Sequence, residues 1–139
     1  MELHNAPPGV DEYVRLRAQA GLTPKTPEQA RPALVNSWAW AHVRVDGQAV
    51  SMGRVIGDGG WYFHIADMAT LPDHQRRGYG RAVLAELLRL IETGAPADPW
   101  VTLFADPAGR PLYESMGFVP TAGGCHGMEM RGSGRGPRG

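Results

Sequence analysis

The chain has 139 residues, 42% of them apolar, and its 14 Lys and Arg balance its 14 Asp and Glu to zero net charge. That length supports one domain around one core, and the neutral balance argues against nucleic acid or an anionic membrane as the main partner. No apolar run approaches the ~18 residues of a bilayer span, the N-terminus lacks a basic-then-apolar leader, and the lone Cys125 has no internal disulfide partner. The expectation is a soluble, cytoplasmic protein without a metal, since His4, His42, His74 and His126 show no ligand spacing.

In chain order, a short strand at Glu2 to Asn5 precedes Pro7-Pro8, and a helix follows from about Val10 to Ala20, with Val10, Tyr13, Val14 and Leu16 or Arg17 near one face and Gly21 as its stop. Thr26-Pro27 reads as cap and first turn of a second helix to about Val35. Trp38 to Val45 and Gln48 to Ile56 form a hairpin around Asp46-Gly47, and Gly57 to Gly60 turns into a strand from Trp61 to Thr70. From about Tyr79 to Glu92 a 3.6-residue period places Val83, Leu84, Leu87, Leu88 and Ile91 on one side of a helix. Trp100 to Ala105 fits a central strand, Asp106-Pro107 opens a short helix through about Met116, and Phe118 to Thr121 with Cys125 to Met130 read as a closing strand pair. The organisation expected is a single domain over 1–130 with a disordered Gly/Arg-rich tail over 131–139.

The chemistry concentrates after the third long strand. Gln75-Arg76-Arg77-Gly78-Tyr79-Gly80 is a glycine-punctuated basic turn that opens a helix, where backbone N–H groups and the positive dipole end gather around an anion. Gly78 and Gly80 let the backbone close on a bulky diphosphate, and Arg76, Arg77 and Arg81 add charge. A dinucleotide fingerprint would need glycine where Val83 stands, and no nucleotide P-loop pattern is present.

This hexapeptide resembles the acyl-CoA motif, Gln/Arg-x-x-Gly-x-Gly/Ala, of the GNAT N-acetyltransferase superfamily. Leu112-Tyr113-Glu114-Ser115-Met116-Gly117-Phe118 is similar to a second signature of that family, in the right order downstream. The resemblance covers roughly residues 61 to 120. It implies an α/β fold, a mixed and mainly antiparallel central sheet flanked by helices, with a splayed strand pair that holds acyl-CoA. It also implies acetyl transfer from acetyl-CoA to a primary amine by direct attack in a ternary complex. The alternative is a non-catalytic acyl-CoA sensor or interaction module on the same fold.

The resemblance assigns roles. Met68, Ala69 and Thr70 would pair their main chain with the pantetheine arm, and the N–H of Met68 or its neighbour would stabilise the oxyanion. Gln75, Arg76, Arg77, Gly78, Tyr79, Gly80 and Arg81 would hold the diphosphate. His64 is the candidate base, four residues before Met68 and on its face under regular alternation. Asp67 is the rival, pointing away from His64 in a regular strand and towards it after a bulge, as base or as holder of the substrate ammonium. Tyr113 matches the general acid that protonates the departing thiolate. Asp106 stands where relatives have an asparagine on the cofactor arm, and reads as a cap because a carboxylate cannot donate. Trp38, Trp40, Trp61 and Phe63 are core or edge packing with a lesser claim on an acceptor pocket. The acceptor would be a small-molecule amine or a protein lysine, and relatives that pair through C-terminal strands leave room for a homodimer.

Overall fold

The structure, a computed structural model, describes residues 1–121 and 123–131. The tail expected to be disordered lies, Arg131 apart, outside the described residues. Met1–Leu103 and Phe104–Gly139 form two compact units.

The first unit carries a five-stranded sheet in the order β1-β2-β3-β4-β5, formed by β1 (Glu2–His4), β2 (Ala39–Val45), β3 (Gln48–Gly57), β4 (Tyr62–Thr70) and β5 (Trp100–Leu103). The first four strands run antiparallel and β5 joins β4 in parallel, as the expected mixed α/β fold requires. Helices α1 (Val10–Gln19) and α2 (Pro27–Asn36) precede the hairpin, and α3 (Tyr79–Gly94) connects β4 to β5. The Thr26 hydroxyl accepts from Gln29 N–H, and the Gln29 side chain returns to Thr26 N–H, which fixes the start of α2.

The two faces of the sheet differ in chemistry. On one, α3 buries Val83, Leu84, Leu87 and Ile91; removing each such side chain from water contributes about 1.5–3 kcal/mol. On the other, α1 brings Tyr13, Leu16 and Arg17 down onto β3 and β4. Glu12 anchors α1 by accepting from Arg44 (both contacts 3.1 Å), from Ala49 N–H (3.1 Å) and from Gly9 N–H (3.1 Å). Burial alone would raise its pKa, but these donors outweigh burial and hold it at about 2, against an ordinary 4.5. A depressed carboxylate stabilises the fold above its unfolded pKa and loses that contribution as pH falls from 4.5 to about 2. Glu12→Gln is therefore expected to cost about 2 kcal/mol near neutrality, with the gap to wild type narrowing across that acid window in urea unfolding. A gap independent of pH would contradict the assignment.

In the second unit α4 spans Arg110–Ser115 and starts later than expected. Asp106 caps a preceding turn: its carboxylate accepts from Gly109 N–H at 2.6 Å, and Arg110 N–H reaches Asp106 C=O at 3.0 Å. β5 likewise stops at Leu103 instead of Ala105. The closing strand pair is not formed among the described residues. Gly123 and Gly124 lie at positive φ in a turn, and the described flanking residues, exposed apart from the half-buried Phe118, have no apolar face to set a register.

Candidate active site

β4 is the strand on which the site is built. Its parallel pairing with β5 covers Tyr62–Trp100, Phe63–Val101, His64–Thr102 and Ile65–Leu103 and goes no further. From Ala66 to Thr70 the strand continues beside β3 alone, so its other edge leaves the β5 ladder. The parallel ladder ends where β5 itself ends, at Leu103.

Halfway along that edge the strand bulges. Arg54 pairs with Ala66 and Met52 with Ala69, so Gly53 alone faces both Asp67 and Met68. Asp67 sits at φ 56°, a left-handed conformation that aspartate tolerates better than most residues. Gly53 stands opposite it, where a Cβ would crowd Met68 Sδ as well as Leu87 and Val83.

The bulge changes which side chains share a face. Met68 points to the α3 side, against Gly53, Val83 and Leu87. His64, paired across β3 with Ile56, lies on the α1 side with Arg54 and Asp67. The expected common face of His64 and Met68 is thus corrected by the extra residue, which puts Asp67 on the histidine's face instead.

Asp67 is enclosed by cations. Its carboxylate accepts from Arg17 Nη1 at 2.5 Å, from Arg54 Nε at 2.7 Å and from the Tyr13 hydroxyl at 2.7 Å, and its side chain is 5% exposed. Arg17 also donates to Thr23 C=O through Nε and Nη2, which ties the loop after α1 to the cluster, and Arg54 Nη1 reaches Ser37 Oγ at 3.1 Å. Burial first, then the bond to Asp67, pushes the Tyr13 phenol up to about 12, so it stays protonated as a donor. Buried and already accepting from three donors, two of them cationic, Asp67 is poorly placed to hold a substrate ammonium. Sequence reading missed Arg17, Arg54 and Tyr13; the available signal was an arginine on the apolar side of α1.

His64 is half-buried, and its Nδ1 lies 2.8 Å from Thr102 Oγ1 on β5. Thr102 Oγ1 itself points at Phe63 C=O at 3.5 Å, an arrangement that suits Nδ1–H as donor to Thr102 and the lone pair on Nε2. Burial, and then the charge of Arg54, lower its pKa below the usual 6.5. The imidazole is therefore neutral at neutral pH, the form that takes a proton.

Beyond β4, a single 3-10 turn at Pro72–His74 leads to Gln75, whose amide donates to Thr70 C=O at 3.2 Å and closes the loop. Arg76 at φ 61° and Gly78 at φ 84° alternate the backbone hand before α3, the pattern that turns successive N–H groups to one side. The first helical bond after Gly78 is Ala82 N–H to Gly78 C=O, so the N–H groups of Tyr79, Gly80 and Arg81 precede the helical ladder. A Cβ on Gly78 would meet no protein atom within 4 Å, so the turn is open on that side. Three exposed arginines, oriented amides and that space fit a diphosphate. Met68, Ala69 and Thr70 line the unpaired stretch of β4 leading to it.

In the second unit Tyr113 lies on α4, its ring edge-on to Phe118 at 6.2 Å. Burial, then the charge of Asp106, raise its pKa above 10. Of the aromatic residues considered for an acceptor pocket, Phe63 and Trp40 are core, and Trp38 packs on Phe63 at 4.9 Å. Trp61 is exposed and stacks against Trp100. Among the described residues no group of three His, Cys, Asp or Glu side chains is placed to hold a metal, and no helix is long and apolar enough to cross a membrane.

An unpaired strand edge that ends in a glycine- and arginine-rich turn opening a helix is the arrangement expected from the resemblance to the GNAT family. The acetyltransferase (GNAT) domain family matches residues 37–120. A Staphylococcus aureus protein described as a probable acetyltransferase has the same fold at TM-score 0.88 and 33% identity, over 94% of this chain and 98% of that one. A GNAT family acetyltransferase from Streptococcus pneumoniae follows at TM-score 0.79 and 23% identity, over 95% and 98%, a likeness of fold. The [ribosomal protein bS18]-alanine N-acetyltransferase of Escherichia coli K12 is 38% identical over 71 residues, 50% of this chain and 46% of that protein. The uncharacterized N-acetyltransferase ycf52 of Porphyra purpurea is 30% identical over 79 residues, 57% and 44%. The matches span less than half the length of these curated relatives. The chain belongs to the GNAT acetyltransferase family.

Proposed function

We propose that the chain moves an acetyl group from acetyl-CoA to a primary amine by direct attack in a ternary complex. The observation that carries this reading is the free edge of β4 from Ala66 to Thr70, flanked by a neutral histidine at one end and the diphosphate turn at the other.

Acetyl-CoA supplies the activated acyl group as a thioester. Residues 75–81 would hold its diphosphate, and the main chain of Met68, Ala69 and Thr70 its pantetheine arm. The acceptor amine is protonated at neutral pH, with a pKa near 10.4 if it is lysine-like, and His64 Nε2 takes its proton directly or through water. The amine nitrogen bonds to the acyl carbon and the C–S bond breaks; in the role the family resemblance gives it, the Tyr113 hydroxyl would protonate the departing thiolate, and the second proton shed by the acylated nitrogen would restore the phenol. An N–H donor at Met68 would steady the oxyanion on the way, a contribution of about 3 kcal/mol when preorganised.

Because His64 loses its charge below the ordinary value, the acidic limb of the turnover profile should fall below pH 6.5. His64→Ala is expected to slow thiol release about 100-fold and to abolish that limb. A mutant with an unaltered profile would return the proton to water and remove His64 from the mechanism.

A further inference from the structure

We infer that Thr102 is a positioning residue for the base: its hydroxyl holds the His64 ring in the tautomer that carries the proton on Nδ1 and the lone pair on Nε2. The inference rests on the reading of His64 as the base, and it gives β5 a part in the chemistry.

Strand register brings the two side chains together. β4 and β5 run parallel with His64 directly opposite Thr102, and opposed residues of neighbouring strands project to the same face of a sheet. The histidine Nδ1 and the threonine Oγ1 are 2.8 Å apart. A neutral imidazole has one N–H and one lone pair, so this contact admits two arrangements with opposite consequences. When the hydroxyl donates, the ring proton goes to Nε2, and that nitrogen cannot take a proton from an amine. When the hydroxyl accepts, Nδ1 carries the proton and Nε2 is basic.

A second contact decides between them. Thr102 Oγ1 lies 3.5 Å from Phe63 C=O, and a carbonyl oxygen only accepts, so it calls for the single hydroxyl proton. Donation to Phe63 leaves an Oγ1 lone pair for Nδ1–H and satisfies both contacts at once. Donation to Nδ1 would satisfy one and set two oxygens against each other. Branching at Cβ narrows the threonine side-chain torsion within the strand, which keeps Oγ1 between its two partners. Burial and Arg54 keep the ring neutral, and Thr102 selects which neutral form is present.

Ring 15N–1H correlation spectra of the full chain, taken at a pH above the His64 titration, read the tautomer directly. The His64 signals among the five histidines are those missing from His64→Ala. Wild type should show the proton on Nδ1, and a proton on Nε2 would overturn the inference. Thr102→Val keeps the branched shape without the hydroxyl. It should shift the ring towards the Nε2–H form and lower kcat for thiol release by about 10-fold or more, with acetyl-CoA affinity unchanged. Its acidic limb should also move to lower pH, because the imidazolium has lost an acceptor. The charges on that face, Arg54 from β3 and Asp67 from β4 with Arg17 of α1 bonded to it, are the same in the variant. Thr102→Ser, which returns the hydroxyl, should recover the wild-type tautomer and most of kcat. A valine variant with wild-type tautomer and turnover, or a serine variant as slow as the valine one, would overturn the role of Thr102 while leaving His64 as the base. An unaltered turnover profile in His64→Ala, with Thr102 in place, would instead overturn the reading of the base.

Discussion

Tyr113→Phe is expected to lower turnover by about 10²–10⁴-fold with acetyl-CoA affinity nearly unchanged. The phenol's pKa is raised by burial and by the nearby Asp106 carboxylate, so it is protonated throughout the working pH range. A departing thiolate needs a proton from a group that still holds one, and a raised phenol meets that condition where a carboxylic acid would already be ionised. Phenylalanine preserves the ring that packs edge-on against Phe118, so melting should stay within about 0.5 kcal/mol of wild type. Steady-state kinetics decide the matter. A loss confined to kcat supports the acid role, and unchanged turnover removes Tyr113 from it.

Asp67→Asn should be the most damaging substitution for stability. The amide is nearly isosteric, yet it leaves Arg17 and Arg54 without a counter-charge in a site where Arg17 is 4% exposed. Removing one partner of a buried ion pair costs about 3–5 kcal/mol, because the remaining charge has lost both water and its partner. For a chain of this size that corresponds to a melting point lower by roughly 10–20 °C. A melting point within a few degrees of wild type would show that the cluster is not structural.

Much of the fold was legible because its causes are local. Thr26-Pro27 caps α2, Asp46-Gly47 turns the hairpin, and the spacing of Val83, Leu84, Leu87 and Ile91 defines α3, each within a few residues of sequence. The glycine- and arginine-rich turn from Gln75 to Arg81 was legible for the same reason: its residues are contiguous. The bulge was not, since it depends on Gly53 from β3, on Arg17 and Tyr13 from α1 and on Arg54, none of them near Asp67 in sequence. Strand alternation therefore put His64 and Met68 on one face, and tertiary contacts separated them. The strands expected after Gly117 failed because Phe118 to Met130 alternates too weakly to bury either face. The start of α4 moved because Asp106 bonds to Gly109 N–H and closes a turn ahead of the helix.

The central claim is that the free edge of β4 and the turn from Gln75 to Arg81 together receive an acyl-CoA. Calorimetric titration of the full chain with acetyl-CoA, followed in the same preparation by amine-dependent thiol release, tests it most directly. The account predicts saturable binding at one site, and release of thiol only when an amine is added. Absence of acetyl-CoA binding by the folded chain would contradict it.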